Sequence, residues 1–195
     1  MRLILVRHPK PRCEAGICYG RLDLECEPDA LAAAVLRLRE PAFASCVFTS
    51  PARRARDLAI RLSAEAIVDD RLQELDFGAW EGRRWEDLGR EAIDAWHQGL
   101  PDSAPPNGET LIAMAARCAS WLKSLQPGER PVLAVTHAGP IRVIRAILEG
   151  KEILTYFAVP VPFAEPIELQ LPAEAPGDQR NPGSSDWLGR QCFIQ

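Results

Sequence analysis

Three short apolar runs constrain this chain more than any other feature. They are LILV (3–6), the CVF of CVFTS (46–50) and the VLAV of VLAVT (132–136). None alternates with polar residues, so each would be apolar on both faces. A strand of that kind needs cover above and below, as in a mostly parallel sheet layered between helices. The stretches between the runs can supply that cover. DALAAAVLRL puts Leu31, Ala34, Val35 and Leu38 on one helical face. PARRARDLAIRLSAE does the same with Ala55, Leu58, Ala59 and Leu62, with Ser50 suited to the N-cap and Pro51 to the first helical position. Residues 84–96 predict a helix with Trp85, Leu88, Ala92 and Trp96 inward. NGETLIAMAARCASWLKSL is the clearest helical pattern, burying Leu111, Met114, Ala115, Cys118, Trp121, Leu122 and Leu125. GPIRVIRAILEG is helical up to Gly150, and PIELQL alternates like a half-exposed strand. The expectation is an α/β chain, a three-layer αβα sandwich around a mostly parallel sheet, in one domain over residues 1–195. PDSAPPNG (101–108) and 172–186 read as loops, the latter mobile, and WLGRQCFIQ as a returning edge strand.

Charge and cysteine content narrow the setting. A net charge of −4 argues against a general nucleic-acid or membrane-surface binder. No apolar run reaches membrane-spanning length and no secretory leader is visible, so a cytoplasmic protein is expected. The six cysteines include no C-x-x-C pair and no zinc-like spacing with histidine, so reduced thiols and no metal are expected. Cys46 and Cys118 fall in apolar patterns, whereas Cys13, Cys18 and Cys26 share one loop.

In a doubly wound sheet, ligands bind beyond the carboxyl ends of the strands. His8 ends LILVRH and His137 ends VLAVTH, so two of the three histidines converge on one sheet edge. His97 follows a helix and reads as a surface residue. Arg53, Arg54 and Arg56 crowd the start of a helix, where cations oppose the dipole unless an anion is bound there. At 100° per residue Arg54 lies about 40° from Leu58 and borders the buried stripe, while Arg53 points to solvent. Glu74, Asp76 and Glu81 in RLQELDFGAWEG offer acids that could protonate a leaving group, or serve as solvated loop charges.

LVRHPK, TSPARRARDLA, LQELDFGAWEG and VTHAGPIR, in that order, resemble the histidine phosphatase (phosphoglycerate-mutase-like) superfamily over roughly residues 1–170. The resemblance implies a phosphoglycerate-mutase-like fold and a metal-independent, cofactor-free phosphomonoesterase acting on a small-molecule ester. His8 matches the nucleophile that becomes phosphohistidine. Arg7, Arg54 and His137, the last as imidazolium, match the clamp on the phosphoryl oxygens. Glu74 matches the proton donor and Glu81 a structural position. Ala138 stands where glycine is commoner, and its N–H remains available to substrate. Pro9 replaces the usual glycine after the nucleophile and removes an amide donor, and Pro11 replaces a hydroxyl residue. GICYGRLDL is similar to a C-Y-G-x-x-D stretch of α-ribazole-phosphate phosphatases of cobalamin synthesis. It makes Arg21 either a substrate contact or a surface charge, and Tyr19 either a stacking platform or a core residue. A mutase and a phosphate-binding module without catalysis are the alternatives.

Overall fold

The computed structural model describes residues 1–39, 46–125 and 131–171. Its elements, in chain order, are β1 (Arg2–Arg7), α1 (Pro28–Leu38), β2 (Cys46–Thr49), α2 (Arg53–Leu62) and β3 (Ile67–Val68), then α3 (Arg90–Gln98), α4 (Leu111–Ser124), β4 (Val132–Thr136), α5 (Ala138–Leu148) and β5 (Pro166–Gln170). Strand order across the sheet is β3-β2-β4-β1-β5. β1, β2, β3 and β4 run parallel, and β5 closes the edge antiparallel to β1.

The three layers follow from the side-chain period of two in a strand. Leu3, Leu5, Val132 and Ala134 face α4 and α5, packing with Met114, Cys118, Trp121 and Ile144. Ile4, Val6, Leu133 and Val135 face the opposite way, onto Ala34 and Leu38 of α1 and Ala55, Leu58 and Ala59 of α2. Leu3 to Val6 are wholly buried. Each such aliphatic side chain contributes about 1.5–3 kcal/mol. The expected αβα sandwich is therefore the observed fold.

Local chemistry sets the helix ends. Thr110 accepts from the Ala113 N–H and caps α4. Gly150, at φ 62°, ends α5 in a Schellman motif, with Lys151 N–H donating to Ala146 O and Gly150 N–H to Ile147 O. Two expectations are corrected. Ser50 is not the N-cap of α2 and Pro51 not its first residue: the helix begins at Arg53 with Ala52 at the cap, and Ser50 Oγ accepts from Ala52 N–H at 3.3 Å while meeting His137. Residues 84–96 do not form one helix. Gly89, at φ 82°, separates a 3-10 turn (Trp85–Leu88) from α3. That break shifts the phase, so Ile93 and Trp96 turn inward and Ala92 is exposed. The predicted loop at 172–186 and the strand WLGRQCFIQ lie outside the described residues. Among the described residues, no helix is long and apolar enough to cross a membrane.

Candidate active site

β1 and β4 are neighbours in register, with Arg7 opposite Thr136. The next residue of each strand is a histidine, and the His8 N–H extends the ladder to Thr136 O at 2.9 Å. The two rings meet edge to face, with centroids 5.1 Å apart. Both are buried, His8 at 1% exposure and His137 at 0%.

The hydrogen bonds assign the His8 tautomer. Nδ1–H donates to Pro9 O at 2.7 Å, which leaves the lone pair on Nε2. Nε2 accepts from Arg54 Nε at 3.2 Å. Burial, and then the Arg54 guanidinium, holds His8 well below its ordinary titration range. Burial followed by Arg54 does the same to His137. Burial and the neighbouring guanidinium thus favour the neutral form of both imidazoles. His137 precedes the first turn of α5, with Nε2 2.8 Å from Ser50 Oγ. Its Nδ1 is buried and has no hydrogen-bond partner among the described residues.

Arg54 is fully buried. Nη1 donates to Leu22 O at 2.7 Å and Nη2 to Gly20 O at 2.5 Å. Arg53 instead lies at the surface and pairs with Glu25 at 2.7 Å. Arg7 donates from Nη1 to Val161 O at 2.7 Å and stacks on Phe163, with Cζ 3.8 Å from the ring centroid. Its Nε is buried and unpartnered among the described residues.

Glu74 reaches this edge from the segment after a 3-10 turn. Thr136 Oγ1 donates to Leu72 O at 2.6 Å and ties that segment to β4. The Glu74 carboxylate accepts from Gly139 N–H at 3.1 and 3.2 Å and from Leu75 N–H at 3.0 Å. It therefore sits at the positive end of α5. Arg117 fixes the backbone behind it, donating to Arg71 O (2.8 Å), Gln73 O (2.6 Å) and Glu74 O (3.1 Å). The Arg117 fork is held in place by donating two bonds to the Glu109 carboxylate, at 2.7 and 2.9 Å. Glu81 has the structural place expected for it. It accepts the N–H groups of Gly20, Arg21, Leu22 and Phe77 and so shapes the loop whose carbonyls hold Arg54.

A cavity of about 190 Å³ opens onto this edge, lined by Gly20, Arg21, Ser50, Gln73, Glu74 and His137 among others. His8, Arg7 and Arg54 stand behind that lining rather than in it. Ala138 heads α5 next to His137 and is 8% exposed. Arg21 is at the rim, 3.3 Å from Asp76 and 3.6 Å from Glu109. Tyr19 is half-buried, its ring 5.4 Å from Arg54 Cζ. Among the described residues no cluster of three or more His, Cys, Asp or Glu could hold a metal, and the cysteines other than Cys192 are free thiols. Sequence reasoning missed Ser50, Arg117 and Gly139. Ser50 carried a signal but was read as a cap; the other two act through tertiary contacts.

Two buried imidazoles, a buried guanidinium and a carboxylate thus gather around one strand edge. The profile of the histidine phosphatase superfamily (branch 1) matches residues 3–175, and the chain belongs to that superfamily. Its class is that of the phosphoric monoester hydrolases. A candidate phosphoserine phosphatase of Hydrogenobacter thermophilus is 31% identical, covering 76% of this chain and 79% of the relative. A glucosyl-3-phosphoglycerate phosphatase of Mycolicibacterium vanbaalenii is 30% identical, covering 76% and 74%. The α-ribazole phosphatase of Shigella flexneri shares the fold, with TM-score 0.77 at 23% identity, covering 88% of this chain and 91% of that one.

Proposed function

We propose that this protein hydrolyses small-molecule phosphomonoesters through a phosphohistidine at His8. One observation carries the reading: the Nδ1–H bond to Pro9 O commits the His8 lone pair to Nε2, and burial keeps the ring neutral. A neutral imidazole can attack phosphorus without first losing a proton. Pro9 lacks an N–H, but its carbonyl orients the nucleophile.

The hydrogen bond from Arg54 Nε to Nε2 must yield as the phosphoryl group arrives. The Nε2–P bond then forms as the ester P–O bond breaks. Arg54 and Arg7 stabilise charge on the equatorial oxygens, and the unpartnered His137 Nδ1 and Arg7 Nε are placed to join them. The Ala138 N–H, at the start of α5, serves the same anion. Glu74, as the acid, gives its proton to the leaving alkoxide. Its carboxylate then takes a proton from the water that cleaves the N–P bond, releasing phosphate and restoring His8.

Rapid quenching with substrate should trap an acid-labile, base-stable phosphoenzyme, absent in His8→Ala. Full activity in His8→Ala would overturn the mechanism, and isomerised product in place of free phosphate would make the protein a mutase. Two substrate classes fit. CYGRLD (18–23) places Arg21 and Asp23 at the cavity and supports a nucleotide-like ester such as α-ribazole 5′-phosphate. The relatives named for phosphoserine and glucosyl-3-phosphoglycerate support a smaller, acidic one. A monoester panel containing both classes separates them.

A further inference from the structure

Glu74 also lines a second cavity, of about 100 Å³. The walls there are Phe77, Trp96, Leu111, Met114 and Phe157, and the second charged group is Arg142. Arg142 lies three residues beyond Gly139 on α5, on the same face one turn further from the strand edge. Its Nε donates to Val159 O at 3.0 Å. Among the described residues, no carboxylate lies within ion-pair distance of its guanidinium. The Glu74 carboxylate is already taken by the N–H groups of Leu75 and Gly139. Arg142 is a half-buried cation in an aromatic pocket, with one edge of its fork pinned and its nearest counter-charge, Glu74, beyond ion-pair distance. Such a group has the form of an anion subsite.

Its placement says which part of a substrate would enter. With the phosphoryl group in the first cavity, the oxygen protonated by Glu74 belongs to the leaving group. Because Glu74 lines both cavities, a leaving group that meets it is adjacent to the second. That cavity is well below the roughly 300–1,000 Å³ of drug-sized ligand sites, so it fits a short carbon skeleton rather than a nucleoside. A carboxylate matches the planar guanidinium edge left free by the Val159 bond. The geometry points to Arg142 as a specificity residue that binds a carboxylate on the leaving group, which makes short phosphorylated carboxylic acids the substrate class. This rests on the phosphatase reading above and decides between its two substrate classes.

Matched esters test it. O-phosphoserine and O-phosphoethanolamine differ only by the carboxylate, as do 3-phosphoglycerate and glycerol phosphate in replacing it with an alcohol. Wild type should favour the acid of each pair by ~10–100-fold in kcat/KM, the range of one charge-assisted hydrogen bond. Arg142→Met should collapse that ratio toward one, and Arg142→Lys should keep part of it. A wild-type ratio near one overturns the proposal, even if Arg142→Met fails to fold. So does an equal loss on both esters in Arg142→Met, which would show that Arg142 only braces Val159. Faster turnover of α-ribazole 5′-phosphate than of either acid also overturns it. If p-nitrophenyl phosphate and every other ester resist hydrolysis, the phosphatase reading itself falls, and this subsite with it.

Discussion

Gly139→Ala separates the chemistry of Glu74 from the stability of the fold. A Cβ at 139 would stand 2.1 Å from Glu74 Oε1, and 3.1 and 3.2 Å from Met114 Cε and Sδ. Ordinary contact begins near 3.5 Å, so the carboxylate oxygen must retreat by more than an ångström. The obstacle is the far end of a flexible side chain, and a χ rotation clears it. Stability changes little: alanine gains up to ~1 kcal/mol over glycine inside a helix, against two weakened N–H bonds and a crowded methionine. The net change should stay within about 1 kcal/mol in a urea titration. Activity should not be spared, because a displaced Glu74 no longer meets the leaving oxygen. General acid catalysis is worth 10²–10⁴-fold, and an alkyl phosphate needs all of it. p-Nitrophenyl phosphate, which departs as a stabilised phenolate, needs much less. The assay is kcat on both esters, and the expected result is a loss at least tenfold larger on the alkyl ester. Equal losses on the two, or none, would refute the placement of Glu74 as the acid.

Ser50→Ala should cost about 1–3 kcal/mol, because it strips the buried His137 Nε2 of its partner, and kcat should fall with it; differential scanning calorimetry and initial rates check both. Arg117→Met should destabilise by ~3 kcal/mol by leaving Glu109 with only the rim contact to Arg21 and freeing three carbonyls, and pairing it with Glu109→Gln should return part of the loss in a double-mutant cycle. Both site histidines titrate near 6.5 when unfolded and are held neutral in the fold. Below pH 6.5 the unfolded chain therefore binds more protons, and stability is lost as pH falls, by up to about 1.4 kcal/mol per unit for each histidine. Above pH 6.5 this contribution is flat. Urea midpoints between pH 7 and 5.5 test the sign, and His137→Asn should halve the slope.

The fold was legible because strand burial on both faces and helical stripes are local patterns. β1, β2, β4 and the stripe of α4 lie where the spacing puts them. The helix at 84–96 was misread because its apolar spacing is continuous while Gly89 breaks the backbone, and only the φ at 89 decides between the two. His8, Arg54 and His137 were legible as strand-end and helix-start residues, and the structure brings them together. Ser50 was seen but misassigned, since a serine before a helix looks the same whether it caps the helix or holds a histidine. Arg117 and Gly139 were illegible: one acts on carbonyls about 45 residues away, the other by the space it leaves for a carboxylate. The downward shift of His137 also needed the structure, because burial and the company of Arg54 are tertiary facts.

The register that sets Arg7 against Thr136 has a consequence for how the protein is made. Strands β1 and β4 touch along their whole length, yet their pairing closes a loop of ~130 residues, an entropic cost met only once most of the chain is present. The two imidazoles are thus brought together by a long-range pairing, and a chain that stops before β4 lacks one of them. A ligand such as vanadate that bridges the rings would act as a clip across the two central strands. It would stabilise the completed sheet alone, by RT ln(1 + [L]/Kd), and its binding during refolding would time the pairing of β1 with β4.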